Sequence, residues 1–173
     1  MYILFIVRLS ARARYAIRFM LELSLRADDP APVPMSLVAK RASISKPYLD
    51  QLAMALRHAN LIHGRAGRRG GYVLARPASE ILLRQIVEAV IGEVNVTDCV
   101  ADPNSCTRSE FCSCRLVWLE INTRIRSVLD DYTLEDITHH ERRHSERDSV
   151  ASPPLVALRT GVSDVSERGT PRV

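Results

Sequence analysis

Apolar residues return every third or fourth position over long parts of the chain, and that rhythm marks out helices. Tyr15, Ala16, Phe19, Met20 and Leu23 share one face of a helix that Ser10 caps and that runs to about Arg26. Pro30, Pro32 and Pro34 make 27–34 a loop, since three prolines in five residues cannot lie inside a helix. A short helix is expected from about Ser36 to Ala42, then a turn over Ser43-Ile44-Ser45. Ser45 caps the next helix, Lys46 to about Ala59, with Pro47 in the first turn, where its missing N–H costs nothing. Over 61–75 the rhythm changes: short apolar stretches flank a glycine- and arginine-rich centre, the pattern of a β-hairpin with a basic tip. A further helix spans about Glu80 to Ile91, with Ile81, Leu82, Ile86, Val87 and Val90 turned inward. Residues 92–112 show no period and read as an exposed loop. In a long helix from Cys114 to Tyr132, Val117, Trp118, Ile121, Ile125, Val128, Leu129 and Tyr132 step by threes and fours. That seam suits a dimer interface, the other choice being a helix packed on its own domain. Beyond 138 there is no aromatic residue, and Ser, Arg, Glu, Pro and Gly abound, so 139–173 reads as a disordered tail. With no partner positions fixed, His139, His140 and His144 read as solvated.

Composition narrows the class. The chain has 173 residues, 46% of them apolar and 25% charged, as in a globular protein of one domain plus a tail. No apolar run reaches the roughly 20 residues of a membrane helix, and the greasy opening lacks the basic start and cleavage site of a signal peptide. A cytosolic protein without a membrane partner is expected. The net charge of +4 hides a division: residues 1–77 hold 13 Lys+Arg against 4 Asp+Glu, whereas 78–138 hold 5 against 11. A basic first part suggests a polyanion partner. An enzyme is not expected, because the glycine-rich stretch is a hairpin tip and no nucleophile–base–acid set stands out.

Two helices joined by a tight turn, followed by a basic hairpin, make a winged helix-turn-helix. The expected fold is mainly α with a small β-wing and a long C-terminal dimerisation helix. The second helix of such a pair enters the major groove of duplex DNA with its N-terminal residues at the base edges, here Ser45, Lys46, Tyr48 and Gln51. Arg65, Arg68 and Arg69 on the wing suit the minor groove and its phosphates. Asp50 either accepts from a cytosine amino group or is a helix-start acid that favours the positive end.

All four cysteines fall between 99 and 114, with six, five and one residues between successive thiols. A disulfide scaffold would spread them along the chain. Structural zinc uses pairs roughly two to four residues apart, so these gaps are too long or too short. Loop thiolates suit an iron–sulfur cluster, and metal-free reduced or redox-switching thiols are the alternative.

Val7-Arg8-Leu9-Ser10 with Arg14-Tyr15-Ala16, Ser45-Lys46-Pro47-Tyr48-Leu49-Asp50-Gln51, Gly67-Arg68-Arg69-Gly70-Gly71-Tyr72-Val73-Leu74-Ala75 and Thr133-Leu134-Glu135-Asp136-Ile137 together resemble the Rrf-type family of bacterial transcription regulators. The wing is the most specific match, and the likeness covers residues 7–138, nearest the cluster-binding IscR-like branch. It implies a homodimer on a palindromic operator that senses iron–sulfur or redox status or nitric oxide. It implies Cys99, Cys106 and Cys112 as ligands of an iron–sulfur cluster, 2Fe-2S ahead of 4Fe-4S. The fourth ligand departs from the pattern. The histidine expected three residues after the third cysteine is Arg115, and the acidic first-helix ligand of the nitric-oxide-sensing branch is matched by Arg14. Cys114 is the nearest substitute, beside solvent, a small thiol or Glu110. The family also has a cluster-free branch controlled by a partner protein or small effector, with thiol oxidation a further means of control. The implied layout is a regulator domain over 1–138, with the winged helix in 1–77, a cysteine loop over 92–113 and the dimerisation helix over 114–132. Residues 1–6 precede the family's usual start, which points to Val7 as initiator.

Overall fold

The computed structural model describes residues 10–146 except Arg69. The start at Val7, the wing's Arg69 and the stretch 147–173 lie outside the described residues. Helix α1 (Ala11–Ser24) begins where the Ser10 hydroxyl accepts the Arg12 N–H at 3.1 Å. It is the hub of the core: Ala16, Phe19, Met20 and Leu23 are all buried. Helix α2 (Met35–Ala42) ends at Ser43, whose φ of 54° turns the chain sharply into α3 (Lys46–His58). Leu49, Leu52, Ala53 and Leu56 of α3 pack on α1 and α2.

The hairpin forms as expected, β1 (Ile62–Arg65) antiparallel to β2 (Gly71–Leu74), with Ile62 opposite Leu74 and Arg65 opposite Gly71. The sheet also holds a partner from the proline loop. Val33 and Tyr72 exchange both backbone hydrogen bonds at 2.9 Å. Val33 precedes Pro34, and a residue before proline is pushed into extended backbone, so the sequence did carry a signal for this pairing. The approach leaves no room for a side chain at position 71, where a Cβ would stand 2.2 Å from the Val33 carbonyl oxygen. Gly71→Ala is therefore expected to cost about 1–3 kcal/mol through backbone displacement. In Gly64→Ala the new methyl meets only the Tyr72 ring, at 3.5 Å. Thermal unfolding of the two variants checks the contrast.

After the wing the chain departs from the expected continuous helix. A single 3-10 turn (Ala78–Glu80) stops at Ile81, and α4 runs only over Leu83–Ile91. The break has a long-range cause. Leu83 N–H donates to the Tyr132 carbonyl at 2.9 Å, and Leu134 N–H donates to the Ile81 carbonyl at 2.7 Å. The loop expected over 92–112 contains a short helix, α5 (Asp98–Ala101), and two 3-10 turns. The long helix α6 covers Ser113–Asp131. Thr133 then opens α7 (Leu134–Glu146) with a reciprocal cap: its hydroxyl accepts the Asp136 N–H, and its own N–H donates to the Asp136 carboxylate at 2.8 Å.

Two expectations change here. The disordered tail does not begin at 139, because α7 continues to Glu146 and docks on the domain through buried Leu134 and a 2.7 Å hydrogen bond from Thr138 to Ser24. The winged helix is not closed within 1–77 either, since Ile81, Ile86, Val90 and Leu134 complete its core.

Candidate functional site

At the start of α3, Ser45, Lys46, Asp50 and Gln51 are exposed, and the Ser45 hydroxyl makes no capping hydrogen bond. It is left available to an outside acceptor. Tyr48 differs from the other expected base readers: its ring packs edge-on against Tyr15 at 5.7 Å and is half-buried. Tyr15 in turn carries the guanidinium groups of Arg14 and Arg18 at 5.8 and 6.0 Å from its ring. Asp50 lies beyond the first turn of α3, so the reading of it as a helix-start acid does not hold. It lines a groove between α3 and the wing together with Arg57, Arg65 and Tyr72. Arg65 and Arg68 are exposed along that wing. A carboxylate sharing this groove with two guanidinium groups tempers its positive field and offers an acceptor that phosphate cannot use.

The four cysteines are free thiols distributed along the loop and the start of α6. Cys99 lies in α5, half-buried, with its sulfur 3.4 Å from the Thr97 hydroxyl. Cys106 is exposed between the two 3-10 turns, Cys112 immediately precedes α6, and Cys114 is exposed in its first turn. Arg115, at the position where the family resemblance led us to expect histidine, donates from Nε to the Cys99 carbonyl at 2.9 Å and ties α5 to α6. Buried Asn122 makes a second tie, its side-chain oxygen accepting the Val96 N–H at 3.1 Å. Among the described residues no three His, Cys, Asp or Glu side chains stand together as a metal site. The donor chemistry nevertheless fits an iron–sulfur group. Three thiols share one loop, and between Cys106 and Cys112 the buried Ser109 hydroxyl has no hydrogen-bond partner, a donor suited to a sulfur acceptor.

The apolar seam of α6 is largely uncovered. Leu116, Val117, Trp118, Ile121 and Val128 are 70, 58, 40, 37 and 53% exposed, and Asn122 is the helix's one buried residue among those described. Its far end is tied to α4. Arg84 donates from Nε to Asp130 at 2.6 Å and from Nη1 to Glu88 at 3.3 Å, and the Asp130 hydrogen bond raises the guanidinium pKa above its usual value. No described helix is long and apolar enough to cross a membrane.

Residues 9–140 match Rrf2, described as an iron-dependent transcriptional regulator. The HTH-type transcriptional regulator IscR of Photorhabdus laumondii is 32% identical over 135 residues, covering 78% of this chain and 81% of that protein. Among solved structures, T. potens IscR is similar with a TM-score of 0.65 at 27% identity, over 85% of this chain and 94% of that one. CymR, the global cysteine regulator of B. subtilis, gives the same TM-score and identity over 78% of this chain and 98% of its own.

Proposed function

This chain belongs to the Rrf2 family of transcriptional regulators, and we propose that it acts in the cytosol as a homodimer on a palindromic operator, with an iron–sulfur group on its cysteine loop setting the affinity. It is a DNA-binding regulator of the IscR type and not an enzyme. The observation that carries the operator reading is the groove that Asp50 and Arg57 of α3 share with Arg65 of the wing, on a protein whose Ser45, Lys46, Gln51 and Arg68 are also exposed. Ser45 and Lys46 hold phosphate at the positive end of α3, Gln51 and Asp50 meet base edges, and Arg65, Arg68 and Arg69 reach the minor groove. Tyr48, clasped by Tyr15, contributes its hydroxyl end and fixes the tilt of α3. Arg65→Ala with Arg68→Ala is expected to weaken binding and to lower the log–log salt slope by about two at most. Gln51→Ala is expected to change base preference on randomised duplexes more than affinity for random DNA. Unchanged salt slope in the wing variant would remove the wing from the interface.

Cys99, Cys106 and Cys112 would hold the cluster, with Cys114, Glu110 or a non-protein group completing it. When bound, a cluster of this kind would supply iron-centred redox chemistry that protein side chains alone lack. The thiols are spread over successive turns, so holding one group requires the loop to close around it. Closing moves Cys99, and Arg115 and Asn122 pass that movement to α6. Arg84 and the Ile81–Leu134 bond carry it to α4, which packs against α3. In a dimer joined along α6, a shift of that helix changes the spacing of the two α3 helices, and half-site spacing governs operator fit. The second reading, control by thiol oxidation, a partner protein or a small effector, draws on the same four free thiols and on the likeness to CymR.

A further inference from the structure

The histidines of the C-terminal segment change meaning once that segment is helical. His140 and His144 are one turn apart on α7, with ring centroids 6.3 Å apart. The spacing His140-Glu141-Arg142-Arg143-His144 places two imidazoles one above the other, the arrangement in which a helix offers two nitrogen ligands to a single metal ion. The setting of α7 is fixed by its docked row: Leu134 and Thr138 are buried, and Arg142 pairs with Asp28 at 2.8 Å. At about 100° per residue, His140 and His144 fall away from that row, on the flank of the helix that Ile137 begins by packing on the core. The pair therefore sits at the edge of the docked face, His140 half-buried and His144 exposed.

We propose that His140 and His144 form a binding site for a divalent first-row transition metal, separate from the cysteine loop. Two imidazoles select borderline ions such as Zn2+, Ni2+ and Cu2+ over Mg2+ and Ca2+, which take oxygen ligands. Among the described residues no third His, Cys, Asp or Glu joins them, so water fills the remaining positions. The same spacing serves zinc peptidases, but those add a third protein ligand, so the site is assigned to metal binding and not to hydrolysis. A metal that bridges one turn holds the last turns of α7 in helical form, since it binds the folded arrangement and not the unfolded one.

The test uses the full chain with its four thiols carboxamidomethylated, so that sulfur cannot compete, and Cu2+ as the probe. The expected result is one Cu2+ per chain at this site, nitrogen splitting from two imidazoles in the electron paramagnetic resonance spectrum, and a raised melting temperature. His140→Ala and His144→Ala should each weaken binding by about tenfold or more and remove the second imidazole signature. His139→Ala and a His58→Ala/His63→Ala variant should leave both unchanged. Far-ultraviolet circular dichroism of each variant confirms that the fold is retained. Unchanged affinity in His140→Ala and His144→Ala, or loss traced to His58 and His63, overturns the proposal. Neither result touches the operator or cluster assignments, because the thiols are blocked and no DNA is present.

Discussion

Anaerobically purified protein is expected to be brown and to contain iron and sulfide, and Cys99→Ala, Cys106→Ala and Cys112→Ala should each abolish both. Three loop thiolates are the only sulfur anchors ahead of α6, and removing one leaves too few for a soft iron centre. Cys114→Ala separates the candidates for the fourth position. Cys114 lies two residues past Cys112 inside a regular first turn, and side chains that far apart on a helix do not face each other. Reaching the same iron would require that turn to unwind. If Cys114 is the ligand, its loss destabilises the cluster or shifts its absorption. If solvent, a small thiol or Glu110 completes the site, the spectrum survives. Full iron and sulfide loading in all three of the first variants would remove the cysteine loop from the cluster. Stoichiometric zinc without sulfide in the wild type would replace the cluster with a structural metal.

A charge on the seam of α6 is expected to have the second large effect. Ile121→Glu or Val128→Glu introduces a carboxylate at a position exposed in the single chain, so the domain should stay folded. Across a helix pair the same carboxylate would be buried without a partner, a cost that dimers do not tolerate. Light scattering should report a monomer. Operator affinity should fall by about 10²–10⁴-fold, because two half-sites are no longer linked. Variants that remain dimeric would place the interface elsewhere and reopen the reading of α6 as a helix awaiting its own domain. The Arg84–Asp130 and Arg84–Glu88 pairs at the far end of α6 are partly exposed. Removing them should matter for coupling between loop and operator more than for stability, since pairs of that exposure contribute about 1 kcal/mol at most.

The elements set by local chemistry were legible from the residues. The Ser10 cap, the turn at Ser43 and the hairpin with its glycine tip lie where short-range signals put them. The elements set by distant partners were not. Apolar period alone runs α4 back to Glu80, and only the backbone bonds from Ile81 and Leu83 to the 132–134 segment explain the break. Likewise, α7 is polar enough to read as tail after 138. Its anchors, Leu134 and Ile137 on the core, the Thr133 cap and the Thr138–Ser24 pair, all lie at or before 138, and past that point only the exposed Arg142–Asp28 contact follows, which leaves no hydrophobic rhythm. Of the candidate site, the sequence supplied the residue types and their places on α3 and the wing, and Ser45, Lys46, Gln51, Arg65 and Arg68 are exposed there. The clasp on Tyr48 and the tether from Arg115 to Cys99 depend on side chains meeting across elements. The Tyr15–Tyr48 packing could have been suspected from two tyrosines at helix starts, but spacing carries no sign of the Arg115 tether.

The most direct measurement compares one dimer preparation before and after loss of its iron and sulfide, at fixed salt, on a duplex selected from a randomised pool. Iron and sulfide are assayed on the same samples. If the cluster sets the affinity, operator binding differs by about 5–150-fold between the two states while affinity for unselected DNA changes little. Equal operator affinity in the loaded and unloaded states, with the cluster confirmed in one and absent in the other, would contradict that role of the cluster.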